Sequence, residues 1–230
     1  DFLHAHIAQA SLFGLQLLWT LEVEESILRA CTEHRAMSAC RKKIGRRLEQ
    51  LVRCVGEASG DPLSAHTRRK LEGLVLMGLH QRDSFAYVYA VKGVGITDFA
   101  WSQQMRCYWE EERNVAKVAV ARTAFDYCNE YLAATARHVI TPLTSRCFIA
   151  LSQTLASFSG GALVGPNGTG KTETIRCLGA LLGQHVLVAN CTDQTGHQTM
   201  GQVIKGVAQV GCWGCFDHLS RSSPAVLSVL

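Results

Sequence analysis

The stretch that decides the fold of this 230-residue chain is Gly165-Pro166-Asn167-Gly168-Thr169-Gly170-Lys171-Thr172. It satisfies the pattern Gly-x-x-x-x-Gly-Lys-[Ser/Thr], in which glycines let a loop curl until successive backbone N–H groups point at phosphate oxygens. Residues 162–164 before it predict a strand, and Ile175, Leu178 and Leu182 after it predict a helix that Gly183 ends. A strand, a glycine loop and a helix N-terminus in this order predict a phosphate-binding site.

The ligand that this pattern predicts is ATP with magnesium. In this pattern the lysine, Lys171, reaches the β- and γ-phosphates, and the hydroxyl of Thr172 ligates magnesium. The predicted nucleotide-binding residues of the loop are Gly165, Pro166, Asn167, Gly168, Thr169, Gly170, Lys171 and Thr172. The alternative, a glycine-rich turn that binds nothing, does not account for the strand and helix on either side.

Apolar segments after the loop alternate between strand-like and helix-like spacing. Residues 186–189 and 212–216 predict two strands, and Met200, Ile204 and Val207 lie at helical intervals between them. This alternation predicts a parallel sheet with helices on both faces, which is the α/β class to which P-loop nucleoside triphosphatases belong.

The first hundred residues instead predict helices, because apolar side chains recur there at helical spacing. The short apolar run 118–121 predicts a strand where this pattern changes. A further helical face is predicted by four residues before Gly160-Gly161, namely Phe148, Leu151, Leu155 and Phe158.

The bulk composition is that of an ordinary globular protein, with 47% hydrophobic and 18% charged residues and a net charge of +4. Ten scattered cysteines predict reduced thiols in an intracellular compartment. Residues 35–70 are basic, but without interleaved aromatic residues they predict a solvated helix face rather than a nucleic-acid surface. No apolar run approaches the roughly 20 residues that span a bilayer. Both termini are expected to continue into a longer protein.

Asp217 ends the third apolar strand, 46 residues after Lys171, and is predicted to hold the magnesium shell together with Thr172. The next residue is His218. A neighbouring carboxylate and a triphosphate both favour the protonated imidazole, which cannot accept a proton from the attacking water. Loss of a positioned base costs about 10²–10⁴ in rate, so binding without efficient hydrolysis is expected. A neutral His218 acting as the base is the alternative.

Cys212 and Cys215 form a Cys-x-x-Cys pair within the third strand. A redox pair needs an exposed thiol at a helix N-terminus, and a zinc site needs a second ligand pair at zinc-finger spacing. Neither condition is met, so a structural role is expected for both cysteines.

The residues around the loop resemble the first AAA+ module of dynein heavy chains. That family places a TPLT turn before GPAGTGKTE, and here Ile140-Thr141-Pro142-Leu143-Thr144 precede GPNGTGKTE, with Asn167 in place of Ala. Asn190-Cys191-Thr192-Asp193 is similar to the family's NCSD, and Trp213-Gly214-Cys215-Phe216-Asp217 to the start of its WGCFDEFNR, whose final arginine is Arg221.

Three upstream segments extend this resemblance over nearly the whole chain. Leu18-Trp19-Thr20 with Glu22 and Glu24 resembles WWTxEVE, and His80-Gln81-Arg82-Asp83 resembles HARD. Asp98-Phe99-Ala100-Trp101 with Gln104, Arg106, Tyr108 and Trp109 resembles FEWLSQLRYYW. The resemblance implies that residues 1–112 are the C-terminal part of the α-helical linker, and that residues 113–230 are the first AAA+ module, truncated after the strand that ends at Asp217.

The resemblance implies a microtubule motor heavy chain in which ATP binding and hydrolysis drive linker movement. By the same resemblance Ile140, Pro142 and Leu143 flank the adenine. The implied partners are microtubules, through parts outside this chain, and dynein intermediate and light chains, with no nucleic acid or membrane. The implied location is the cytoplasm and cytoskeleton, in a ciliary or flagellar axoneme.

Several positions depart from the family pattern. His218 stands at the position of the family's catalytic Glu, Leu219 and Ser220 replace Phe and Asn, and Ser145 replaces an Asp. Residues 194–197 also differ from the family's GLDY. These departures leave open a degenerate dynein-like protein whose module is a non-hydrolysing structural or regulatory ATP site. An unrelated P-loop kinase or transporter ATPase is disfavoured by the Trp19, His80 and Trp101 segments.

Overall fold

The computed structural model describes residues 5–33, 35–57, 64–91, 93–135 and 137–228. The chain divides into two compact units. The first comprises Asp1–Tyr127 and Ala133–Ala162, and the second comprises Cys128–Leu132 and Leu163–Leu230. None of the helices in the described ranges combines the length and the apolar character that a membrane crossing requires.

Three long helices dominate the first unit, as the sequence predicts. They are α1 (Ala8–Arg29), α2 (Ala36–Glu57) and α3 (Ala65–Ala90), followed by the short α4 (Phe99–Ser102). Their apolar faces form two core clusters. The first consists of Trp19, Val23, Ile27, Cys40, Ile44, Phe85, Val88 and Trp101. The second consists of Leu12, Leu15, Leu51, Leu74 and Met77. Burial of these large side chains is the main source of the unit's stability.

An antiparallel sheet follows, with strands β1 (Arg106–Glu110), β2 (Val115–Val120) and β3 (Thr123–Asp126) in that order. Arg106 lies opposite Ala119, and Val118 lies opposite Phe125. The strand predicted at 118–121 is therefore confirmed, except that Ala121 lies in the turn after it with φ 52°. Helix α5 (Pro142–Ala156) completes the unit and begins with a capping box between Thr141 and Thr144.

Polar side chains of α1 attach this helix to β1. The Thr20 hydroxyl accepts a hydrogen bond from the Cys107 N–H at 3.1 Å. Glu24 accepts from the Tyr108 hydroxyl at 2.6 Å and from Trp101 Nε1 at 3.1 Å. The Trp101 ring also packs on Trp19, with ring centroids 5.2 Å apart. Residues from two separate upstream motifs thus meet in one network inside the first unit.

The second unit alternates helix and strand. Its elements are α6 (Lys171–Leu182), β4 (Val186–Asn190), α7 (His197–Val210), β5 (Trp213–Asp217), a 3-10 turn (Leu219–Arg221) and α8 (Pro224–Leu227). β4 and β5 are parallel, with a register that runs from Val186 opposite Trp213 to Asn190 opposite Asp217. A Cβ at Gly179 would overlap the Val186 side chain, so this glycine lets α6 lie close against β4. The predicted α/β alternation is confirmed for these elements.

Two predictions made from the apolar pattern are wrong. Residues 162–164 do not form a strand, and the Val164 side chain is 97% exposed. A strand needs a neighbour to accept its backbone hydrogen bonds, and the described residues place none beside this segment. Phe158 lies beyond the end of α5 with φ 55° and is fully exposed, so it is not part of that helix's buried face.

The predicted domain boundary between residues 112 and 113 falls in the turn that joins β1 to β2. These strands pair with each other, so the compact units divide at other positions, after Tyr127 and around Ala162. The assignment of the helical part to a linker and of the remainder to an ATPase module stays a prediction.

Candidate nucleotide-binding site

The glycine loop takes up backbone conformations that its glycines make accessible. Gly168 and Gly170 have φ values of 78° and 79°, in the left-handed region, where another residue costs roughly 1–2 kcal/mol. The Thr169 hydroxyl donates to the Pro166 carbonyl at 2.9 Å and holds the loop closed. Gly170 immediately precedes α6, so the loop leads into a helix N-terminus with its unpaired N–H groups and positive dipole end.

Lys171, the first residue of α6, extends back along the loop. Its ammonium group donates to the Gly165 carbonyl at 2.9 Å and to the Pro166 carbonyl at 2.6 Å. The structure therefore places a positive charge against the backbone of the loop's first two residues. This arrangement suits an anionic ligand held by the loop amides.

Thr172 and Asp217 meet, although 45 residues separate them. The Thr172 hydroxyl lies 2.7 Å from Asp217 Oδ2 and 2.9 Å from Oδ1. Thr172 is in the first turn of α6, and Asp217 is the last residue of β5, at the carboxyl edge of the parallel pair. A hydroxyl and a carboxylate together supply the hard oxygen ligands that magnesium prefers. The predicted metal residues are thus brought into contact.

Cys215 lies two residues before Asp217 in β5. Its thiol is 3.9 Å from Asp217 Oδ1, and burial, reinforced by the Asp217 charge, raises the pKa of the Cys215 thiol. A protonated buried thiol is a weak nucleophile and metal ligand. None of the ten cysteines forms a disulfide, and no cluster of three or more His, Cys, Asp or Glu side chains in the described ranges is arranged to hold a metal.

His218 follows Asp217 directly and adopts a left-handed backbone conformation, with φ 57°. Its carbonyl accepts the Arg221 N–H at 2.9 Å, which closes the 3-10 turn after β5. The imidazole is exposed and makes no side-chain hydrogen bond with any described residue. His218 occupies the position at which the resemblance places the family's catalytic Glu, and its role in hydrolysis stays a prediction.

The three residues predicted to flank adenine belong to the first unit. Ile140 is half-buried, and Pro142 and Leu143 are exposed in the first turn of α5, after the Thr141 cap. Their role in binding a base stays a prediction.

Sequence reasoning missed Glu130 and Gln184, which hold the opposite end of α6. Gln184 is buried and donates to the Gly211 carbonyl at 2.9 Å and to Glu130 Oε1 at 3.4 Å. No spacing or motif marks these residues, because their partners come from three distant segments.

The site has the features of a P-loop module of the α/β class. These are a glycine loop at a helix N-terminus, a lysine beside that loop, and a Thr–Asp pair at the edge of parallel strands. Residues 127–230 match the family described as the hydrolytic ATP binding site of the dynein motor region. The chain therefore carries an ATP-binding site of that type.

Several proteins similar to the chain are named as flagellar or axonemal dynein chains. The dynein gamma chain of the flagellar outer arm of Chlamydomonas reinhardtii is 40% identical over 229 residues, which cover 100% of this chain and 5% of that protein. Dynein axonemal heavy chain 5 of Rattus norvegicus is 41% identical over 229 residues, covering 100% of this chain and 6% of that protein. Dynein axonemal heavy chain 8 of Homo sapiens is 41% identical over 228 residues, which cover 99% of this chain and 5% of that protein.

The chain belongs to the dynein heavy chain family, and the resemblance inferred from its motifs is confirmed. It spans about a twentieth of the length of these relatives.

Proposed function

We propose that this chain is the ATP-binding part of a dynein-like microtubule motor heavy chain, in which nucleotide state is coupled to linker movement. The observation that carries the proposal is the contact of the Thr172 hydroxyl with the Asp217 carboxylate at 2.7 Å. The two side chains come from different elements, and together they fit a magnesium ion bound with ATP. The loop glycines and Lys171 supply the remaining features of such a site.

Each part of the site has a defined task. The loop amides and the N-terminus of α6 bind the phosphate oxygens, and Lys171 neutralises charge on the β- and γ-phosphates. Thr172 and Asp217 would hold magnesium, which when bound would offset the charge that develops on the phosphates. Ile140, Pro142 and Leu143 flank the adenine in this proposal.

A second candidate function is a structural or regulatory module that retains ATP without efficient hydrolysis. His218 supports it, since this residue directly follows Asp217 where the family pattern has a catalytic Glu. A carboxylate at this position accepts the proton of the attacking water, so its replacement removes the general base of the family pattern. Replacement of His218 by Glu separates the two candidates.

Partners and location follow from the relatives, which are named as flagellar and axonemal dyneins. We propose that the whole protein acts on microtubules of a cilium or flagellum, through parts outside this chain. Intermediate and light chains of dynein are the proposed associated subunits.

The proposal is tested by titrating the purified chain with ATP in the presence and absence of magnesium. Lys171→Ala should weaken binding about 10–100-fold, because a charge-assisted hydrogen bond contributes roughly 1.5–3 kcal/mol. Lys205→Ala removes an exposed lysine of α7 in the same unit and is the matched control, with an expected change below about twofold. Equal affinity of the Lys171→Ala variant, a preference for GTP or binding independent of magnesium would each contradict the proposal.

A further inference from the structure

The chain leaves the first unit at Tyr127, contributes Cys128–Leu132 to the second unit, and returns to the first unit at Ala133. We call residues 128–132 the strap. The region that matches the dynein ATP-binding family begins at residue 127, so it includes the strap. None of the strap residues takes part in the nucleotide site described above.

The strap binds the C-terminal end of α6 through its backbone. The Cys128 N–H donates to the Leu182 carbonyl at 3.1 Å, and the Glu130 N–H donates to the Gly183 carbonyl at 3.0 Å. Carbonyl groups at a helix C-terminus have no partner within their own helix. The strap therefore satisfies two acceptors that α6 and its cap leave open.

The Glu130 side chain strengthens this attachment. Its carboxylate accepts hydrogen bonds from the His185 N–H and from Gln184 Nε2. The same Gln184 donates to the Gly211 carbonyl after α7, and the His185 carbonyl accepts the Trp213 N–H of β5. The Glu130 carboxylate thus joins the strap to the turn before β4, and the residues of this turn bind the start of β5 and the carbonyl after α7.

Helix α6 connects the strap with the phosphate loop. Lys171 and Thr172 begin the helix and Leu182 ends it, so 12 residues separate the two sites by about 18 Å at 1.5 Å per residue. A displacement of the first turn of α6 would move the carbonyl groups to which the strap is bonded. A helix transmits such a displacement because its backbone is internally hydrogen-bonded along its length.

The flanks of the strap are held firmly. Tyr127 donates its N–H to the Ala116 carbonyl of β2 at 2.8 Å, and its hydroxyl accepts from Gln9 at 2.8 Å. Asn129 and Ala133 have φ values of 57° and 56°. The left-handed conformation is unfavourable for a residue with a Cβ atom, so the backbone is locally strained at Ala133.

We propose that the strap transmits the nucleotide state of the loop from the C-terminal end of α6 to the chain on either side of residues 128–132, with Glu130 as its positioning residue. This inference rests on the proposed ATP binding at residues 165–172 and names the element that couples this site to the rest of the chain. Coupling of this kind is reciprocal, so a weakened strap alters the response to nucleotide at a distance from the phosphates.

The test is amide hydrogen exchange of the full 230-residue chain with magnesium and a non-hydrolysable ATP analogue. In the unchanged chain, saturating analogue should slow exchange in the loop and also in the strap, each about threefold or more. In Glu130→Ala the loop should still be protected and the affinity for the analogue should stay within about twofold. The strap should no longer respond, and its basal exchange should be about tenfold faster after loss of a hydrogen bond to a charged group.

Two further variants exclude a general loss of structure. Glu130→Gln retains an oxygen acceptor for the His185 N–H, so part of the response of the strap should return. Glu112→Ala removes an exposed carboxylate of the first unit and should leave both responses unchanged. Two outcomes would overturn this inference and leave the proposed ATP binding intact. One is protection of the loop without any response of the strap in the unchanged chain, and the other is a normal response of the strap in Glu130→Ala. Absence of loop protection would overturn it together with the proposed function.

Discussion

The contact between Thr172 and Asp217 makes the sharpest prediction. One hydroxyl proton serves both carboxylate oxygens, at 2.7 and 2.9 Å, so it counts as one hydrogen bond to a charged acceptor. Such a bond contributes about 1.5–3 kcal/mol, and both residues are half-buried, which places the expected value near the lower limit. Thr172→Val should therefore lower the free energy of unfolding by about 1.5 kcal/mol.

The same substitution removes a proposed magnesium ligand. The magnesium-dependent part of ATP affinity should fall at least about tenfold, or about 1.4 kcal/mol. Thr172→Ser keeps the hydroxyl and should stay within about threefold of the unchanged chain. Titration of a fluorescent ATP analogue with and without magnesium measures both effects.

A double-mutant cycle decides whether the two residues act together. Thr172→Val, Asp217→Asn and the double variant should be non-additive in magnesium-dependent affinity by about 1 kcal/mol, because either change disables the same pair. Additive losses, or full magnesium dependence in Thr172→Val, would refute the reasoning that these residues share one ion.

Three other predictions concern hydrolysis, the core and pH. His218→Glu in the full-length protein should raise ATP turnover by about 10²-fold or more, and an unchanged rate would show that His218 does not limit hydrolysis. Trp101→Ala should lower the stability of the first unit by about 3–5 kcal/mol in denaturant unfolding, whereas Phe99→Ala, at a 64% exposed side chain, should change it by less than about 0.5. Burial raises the pKa of Cys107 to about 12 from 9.0, so the folded state keeps its proton longer. This group's contribution to the free energy of unfolding is complete below pH 9 and is lost as pH rises toward 12, by about 1.4 kcal/mol per pH unit. Cys107→Ala should flatten this pH dependence of stability, and an unchanged slope would show that another group causes it.

Helices were predictable wherever one apolar face dominates. The apolar spacing around Leu178 and Met200 identified α6 and α7, and both residues are buried as expected. The segment 162–164 was misassigned because its apolar composition was sufficient to suggest a strand. Whether a strand forms depends on a neighbour with free N–H and C=O groups, which no local window reveals.

The three-stranded antiparallel sheet was largely missed. Only β2 has a conspicuous apolar run, whereas β1 mixes charged and aromatic residues and β3 has four residues. Their pairing depends on the charged turn between residues 110 and 115 and on Thr20, which binds β1 from a distant helix. Such cross-chain hydrogen bonds leave no periodic signal.

The amino-acid sequence by itself identified the phosphate loop, because its glycine positions, Lys171 and Thr172 form a local pattern, and Gly168 and Gly170 adopt the left-handed φ values that glycine makes accessible. It also identified Asp217 as the acid at the end of an apolar strand. Tertiary structure alone decided that the Thr172 hydroxyl reaches this carboxylate, and that Glu130 holds the far end of α6. These contacts join segments 45 and 55 residues apart, and only the folded backbone brings such segments within hydrogen-bond distance.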